Sequence, residues 1–178
     1  MNKQVYKIGF LSGLIAFASA MAYVIVQIFQ LQNALGFPLD EILIYGTSLC
    51  IVIPFVLEIL ALHYLTPDEK KFWSHAALIF SIIYSVFVTA NYVVQLVTVI
   101  PMKLKGASDE IHILEQTPHS LFWDFDALGY IFMGLATLVA IPVFEKHGFQ
   151  KWVRLSFLAN ALVTPLIAIV YFYPVYSE

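Results

Sequence analysis

Five apolar runs, each long enough to cross a bilayer, constrain this chain more than any motif does: Ile8–Phe29, Ile42–Leu65, Trp73–Pro101, Leu121–Phe144 and Trp152–Pro174. A helix rises about 1.5 Å per residue, so a hydrocarbon core of about 30 Å needs about 20 mainly apolar residues. The runs are continuous, whereas a membrane barrel alternates apolar and polar residues in segments of about ten. The chain is therefore expected to be an all-α, polytopic transmembrane bundle of five spans, a single domain over residues 1–178 with connections too short for a soluble domain. Charged residues make up only 12% of it, against about 25% in soluble domains.

Lys and Arg fall unevenly about these spans. Lys3, Lys7, Lys70, Lys71, Lys146, Lys151 and Arg154 occupy the N-terminus and every second connection, and Lys103 and Lys105 the others. Positive charge favours the cytoplasmic side, which predicts the N-terminus inside and the C-terminus outside. Trp73 and Trp152 at inner ends, Trp123 at an outer one and Tyr171, Tyr173 and Tyr176 beyond the last span read as interfacial aromatics. Lys3, Lys7 and Ala18-Ser19-Ala20 also fit a signal peptide with its cleavage site. The apolar run continues through Ile28, so a retained helix is the reading taken.

Turn residues mark the helix starts. Thr66-Pro67-Asp68-Glu69 reads as N-cap, proline at N1 and capping-box glutamate, and Thr117-Pro118 repeats the signal before the fourth span. Residues 109–115 read equally as a small interfacial helix or an irregular loop.

Lipid tails are as apolar as leucine, so helices in a bilayer associate through close packing and hydrogen bonds. Small and polar residues recur at helical spacing for this purpose: Gly9, Gly13, Ala16 and Ala20 in the first span, Ala77, Ser81, Ser85 and Thr89 in the third, Ser156, Asn160, Thr164 and Ala168 in the fifth. Pro54 and Pro165 interrupt their spans, and Thr164 is expected to hydrogen-bond the carbonyl that Pro165 frees.

A carboxylate at membrane depth costs about 2.5–3.5 kcal/mol on the insertion scale, so such groups face the protein interior and pair. Glu58, about 10 Å from the inner end of its span, falls level with Asn160, and a contact between them is expected. Asp124 and Asp126 lie about 200° apart around a helix, so one faces outward and Asp126 inward. At matching depth stand Gln27, Asn91, Gln95 and Tyr130, which makes an outer polar pocket with Asp126. The candidate ligand-binding residues are thus Glu58, Asn91, Gln95, Asp126 and Asn160. His63 and His75 flank one turn but lack a third ligand at fixed spacing, so no metal or cofactor is expected. Cys50, the one cysteine, excludes an internal disulfide and reads as a buried small apolar residue. A net charge of −3 without a basic cluster gives nucleic acid nothing to bind.

Over Pro118-His119-Ser120-Leu121-Phe122-Trp123-Asp124-Phe125-Asp126-Ala127-Leu128-Gly129-Tyr130 the chain resembles a group of small polytopic membrane proteins, mostly bacterial, that carry no assigned activity. The resemblance implies a multi-helix fold in a bacterial cytoplasmic membrane, with relatives that often carry a further apolar segment, and nothing biochemical. No phosphate loop, zincin helix or nucleophile elbow occurs. The expected function is binding or transport of a small amphiphilic or proton-coupled solute. The alternatives are an intramembrane enzyme acting on a lipid or isoprenoid, with Glu58 or Asp126 as acid or base, and a subunit that docks another copy or another membrane protein through the Gly13–Ala20 face.

Overall fold

A computed structural model of the chain describes residues 3–107, 111–118 and 120–172. Its helices are α1 (Lys3–Leu31), α2 (Leu39–Leu65), α3 (Lys71–Val94), the short α4 (Ile100–Leu104), α5 (Leu121–Ala140) and α6 (Gln150–Phe172). A π-helical turn, Gln95–Val99, joins α3 to α4, so Asp68–Leu104 runs as one rod. Among the described residues five helices are long and apolar enough to cross a membrane. Each lies within a few residues of its expected span. Tyr173, Pro174 and Tyr176 lie outside the described residues, as do Ser108, Asp109, Glu110 and His119.

The helices form an arc. α1 packs on α2, α2 on α3, α3 on α5 and α5 on α6, which leaves α1 and α6 as its two ends. Their outward faces carry large apolar side chains such as Phe10 (63% exposed) and Leu166 (61% exposed). In water such faces would force aggregation; in acyl chains they are solvated, as expected of a membrane protein.

Glycines set how closely the helices approach. A Cβ on Gly9 would stand 2.7 Å from that of Ala61, and one on Gly13 3.2 Å from the carboxyl of Glu58, so α1 lays its small-residue face on α2. Gly9 and Gly13 of that face are thus engaged inside the chain, while Ala16 and Ala20 border a cavity. On α5, Gly129 meets Val88 of α3, and Gly134 meets Thr164 of α6, both at separations that leave no room for a methyl group. Ala77 and Ser81 of the α3 stripe are buried, while Ser156 of the α6 stripe is exposed. Val52, Tyr84, Val88 and Tyr92 form one core cluster, and Ile59, Ala77 and Ala140 a second.

Several local expectations are corrected. Thr66 does not cap the third span: its hydroxyl donates back to Leu62 O of α2 (2.6 Å), and a 3-10 turn, Asp68–Lys70, intervenes before α3. The cap of α5 is Ser120, whose Oγ accepts from Trp123 N (3.1 Å), and not Thr117. A hydroxyl one residue before the helix reaches the first free N–H groups, which one four residues before cannot. Thr164 Oγ1 has no hydrogen-bond partner among the described residues; the close approach of Gly134 occupies it instead of a freed carbonyl. Cys50 is exposed on the flank of α2 and not buried. Over its described part, the 109–115 segment closes as turns, with Leu114 N donating to Ile111 O (2.7 Å).

Basic side chains cap the carbonyl ends of two helices. Lys71 Nζ donates to His63 O (3.1 Å) at the end of α2, while Lys70 Nζ and Arg154 Nη1 donate to Val143 O (3.1 Å) and Ile141 O (3.0 Å) beyond α5. His63 O and Ile141 O also accept long backbone bonds from Thr66 N and Phe144 N (both 3.3 Å), and cations at these carbonyl ends meet the negative end of the helix dipole. Lys70 also pairs with Glu145 at 2.7 Å, holding the exposed Glu145 carboxyl below its ordinary 4.5.

Candidate functional site

Asn91, Gln95 and Asp126 come together between α3 and α5, each almost wholly buried. Asn91 and Gln95 stand four residues apart and so share a face. Asn91 Nδ2 donates to Asp126 Oδ1 and to Gln116 Oε1, both at 3.1 Å. Gln95 Nε2 donates to Leu114 O (2.7 Å) and, at 3.4 Å, to Asn91 Oδ1, tying the loop over the end of the pair. The second oxygen of Asp126 accepts from Tyr171 of α6 at 2.9 Å. Asp126 therefore acts as an acceptor on both oxygens, bound to elements on either side of α5. Asp124 is exposed, on the other side of the helix as its spacing requires.

The π turn starts at Gln95, one helical turn after Asn91. Pro101 follows it; having no N–H, and with a ring that presses on the carbonyl one turn back, it disfavours regular α-helix just there. Ile100 N accordingly donates to Gln95 O, five residues back.

Asp126 opens into a cavity of about 480 Å³. Tyr23 of α1, Tyr45 of α2, Tyr92 of α3, Trp123 and Tyr130 of α5 and Tyr171 of α6 wall it, so every span contributes an aromatic ring. Gln27, Gln30 and Gln116 complete the polar lining, and among the described residues no Lys, Arg or His side chain belongs to it. Gln27 and Tyr130 were expected here from depth alone; Asn91 and Gln95 lie behind the wall, holding Asp126 and the loop, and do not line the cavity.

A second cavity, of about 540 Å³, continues toward the other end of the bundle. Tyr92 and Tyr130, whose hydroxyls are 3.0 Å apart, belong to the walls of both. Glu58 and Asn160 both face this second space. They do not engage as expected: Asn160 Nδ2 donates to Thr137 Oγ1 (2.9 Å) across the α5–α6 seam, and no hydrogen bond or ion pair reaches the Glu58 carboxyl among the described residues. Ser48 Oγ, on the same wall, is buried without a partner. A third space, of about 250 Å³, shares Glu58 and Phe157 with the second and extends past Tyr6 toward Leu65. Three spaces thus lie in file, divided first by the tyrosine pair and then by Glu58. Glu58 and Asp126 line different spaces and form no dyad.

His63 and His75 approach to 5.4 Å between ring centroids, and His63 Nδ1 bonds Ser74 Oγ at 3.0 Å. Among the described residues no three His, Cys, Asp or Glu side chains converge as a metal requires.

Depth and spacing did not reveal Tyr23, Tyr45 and Tyr171 as part of this site. Tyr171, read as interfacial, instead stacks on Trp123 (4.3 Å between centroids) and bonds Asp126. One signal was present: Tyr23, Gln27 and Gln30 recur at steps of four and three, which is one face of α1. No family model, curated protein or solved structure matches this chain.

Proposed function

We propose that this protein is a non-enzymatic membrane carrier or binder of a small amphiphilic solute, taken up into the file of spaces within the helical arc. The observation that carries the reading is the unpartnered Glu58 carboxyl in the wall between two of those spaces. An intramembrane carboxyl normally pairs with another group of the chain, and one that faces only a cavity is set to meet a solute or exchange a proton. The unpartnered Ser48 hydroxyl in the same wall supports it. So does the arc itself: α1 and α6 border the cavities without either serving as the other's main packing partner, which leaves a lateral route from lipid for an apolar tail.

In this reading the protein resides in a bacterial cytoplasmic membrane with its N-terminus inside, as seven basic residues at one end against two at the other favour. Glu58 then lies nearer the inner face and Asp126 nearer the outer.

The test is uptake into proteoliposomes of a panel of small amphiphiles, with wild type, Glu58→Gln and Asp126→Asn compared. Saturable uptake that falls at least about tenfold in Glu58→Gln is expected, the loss that one charge-assisted contact gives. Equal uptake by all three proteins contradicts the proposal.

A further inference from the structure

The geometry points to an organic cation, an amine or quaternary ammonium group, as the polar head that the Asp126 cavity receives. This rests on the proposed function and names the charge of its solute.

The lining is the first observation. Six aromatic residues, one or more from each span, surround a space that among the described residues holds one carboxylate and no basic side chain. Aromatic rings present a negative face, and a cation within about 6 Å of a ring centroid is attracted to it, most strongly where water is excluded. The rings come as pairs on opposite arms of the arc: Tyr45 with Tyr92, 5.7 Å between centroids, from α2 and α3, and Trp123 with Tyr171, 4.3 Å, from α5 and α6. Tyr130, bonded to Tyr92, closes the side toward Glu58.

The second observation is the state of Asp126. Its two oxygens take donors from Asn91 and Tyr171, both neutral. Lys103 is shared between two carboxylates, Glu41 (3.2 Å) and Glu115 (3.8 Å), with Glu41 Oε2 left unpartnered, so it has no charge to spare for Asp126, and it does not line the cavity. A buried carboxylate without a counter-charge is unfavourable, and a cation arriving from outside the chain supplies what the fold omits. An anionic head would meet the Asp126 carboxylate with no basic side chain among the described lining residues to offset it. A space of about 480 Å³ accommodates a small head with part of its tail.

The cation has two possible sources, a soluble ion or the head of an amphiphile, and the test separates them. Purified full-length protein in maltoside micelles is titrated with tetramethylammonium, octyltrimethylammonium, octyl glucoside and octyl sulfonate, following the fluorescence of Trp123 in the cavity wall. Trp123→Phe identifies the signal that belongs to this site. Saturable octyltrimethylammonium binding at least about tenfold tighter than octyl glucoside, with no binding of octyl sulfonate, is the expected result. Asp126→Asn and, independently, Tyr45→Leu should each weaken it about tenfold or more, while both variants elute as wild type.

Octyl glucoside binding as tightly as octyltrimethylammonium overturns the cation and leaves the amphiphile reading standing. Tetramethylammonium binding as tightly as its octyl form supports the cation and overturns the amphiphile. If none of the four binds saturably, both fall.

Discussion

Asn91 of α3 and Asp126 of α5 share a hydrogen bond of 3.1 Å at a point where both side chains are almost wholly buried. The bond joins neighbouring helices of the arc and fixes the carboxylate that faces the aromatic cavity. Asn91→Leu removes donors to both Asp126 and Gln116. Leaving buried acceptors unsatisfied costs about 1–3 kcal/mol each. The expected result is a lower thermal midpoint in micelles, with Asn91→Asp lower still because it sets two carboxyl groups against each other. A midpoint equal to wild type for Asn91→Leu contradicts the role given to this bond.

Close packing of α5 makes a second expectation. Gly129→Ala drives a methyl group into Val88, and overpacking of this kind costs about 1–3 kcal/mol. Val88→Ala in the same chain removes the colliding methyl group and should recover part of that loss, a coupling readable in a double-mutant cycle of unfolding free energies. Strict additivity of the two substitutions would show that the helices do not meet there.

At the opposite end of the bundle, the Lys70–Glu145 pair ties the start of α3 to the segment beyond α5. Lys70, first through its hydrogen bond and then through its charge, lowers the pKa of Glu145 from 4.5. A depressed carboxyl contributes stability that is present above its unfolded value and is lost as the pH falls through its folded value. Glu145→Gln should therefore lower the thermal midpoint slightly at pH 7, and the two proteins should converge as the pH falls from 4.5 through the lower folded value. Because the pair is exposed, the difference at pH 7 should also shrink in high salt.

How far the fold was legible follows from which forces act over short range in sequence. The five spans could be read because a bilayer demands length and apolarity of each segment separately. The opposite facing of Asp124 and Asp126 and the shared face of Asn91 and Gln95 likewise followed from helical spacing, and depth chose Asp126 as the inward one. The partners of Glu58 and Asn160 were not. Equal depth put both on one cavity wall, but whether side chains meet depends on the rotation of α2 and α6 about their axes, which Gly13 and Gly134 set through contacts distant in sequence. Thr66 misled because a hydroxyl before a proline serves a cap or a back-bond equally well, and the choice is tertiary; Thr117 Oγ1 makes neither among the described residues. The tyrosines stayed hidden for a related reason: within an apolar run, a ring at the cavity and a ring toward lipid look alike.

The most direct test of the enclosed interior is photolabelling of purified wild-type protein with a diazirine-bearing octyltrimethylammonium, with and without excess unlabelled octyltrimethylammonium, followed by mapping of the modified residues. Label that the competitor removes should fall on Tyr45, Tyr92, Tyr130 and Met133, which line the spaces within the arc. If all of the label falls on outward positions such as Ile25, Leu162 and Leu166, and none of it can be competed away, the solute never enters the bundle.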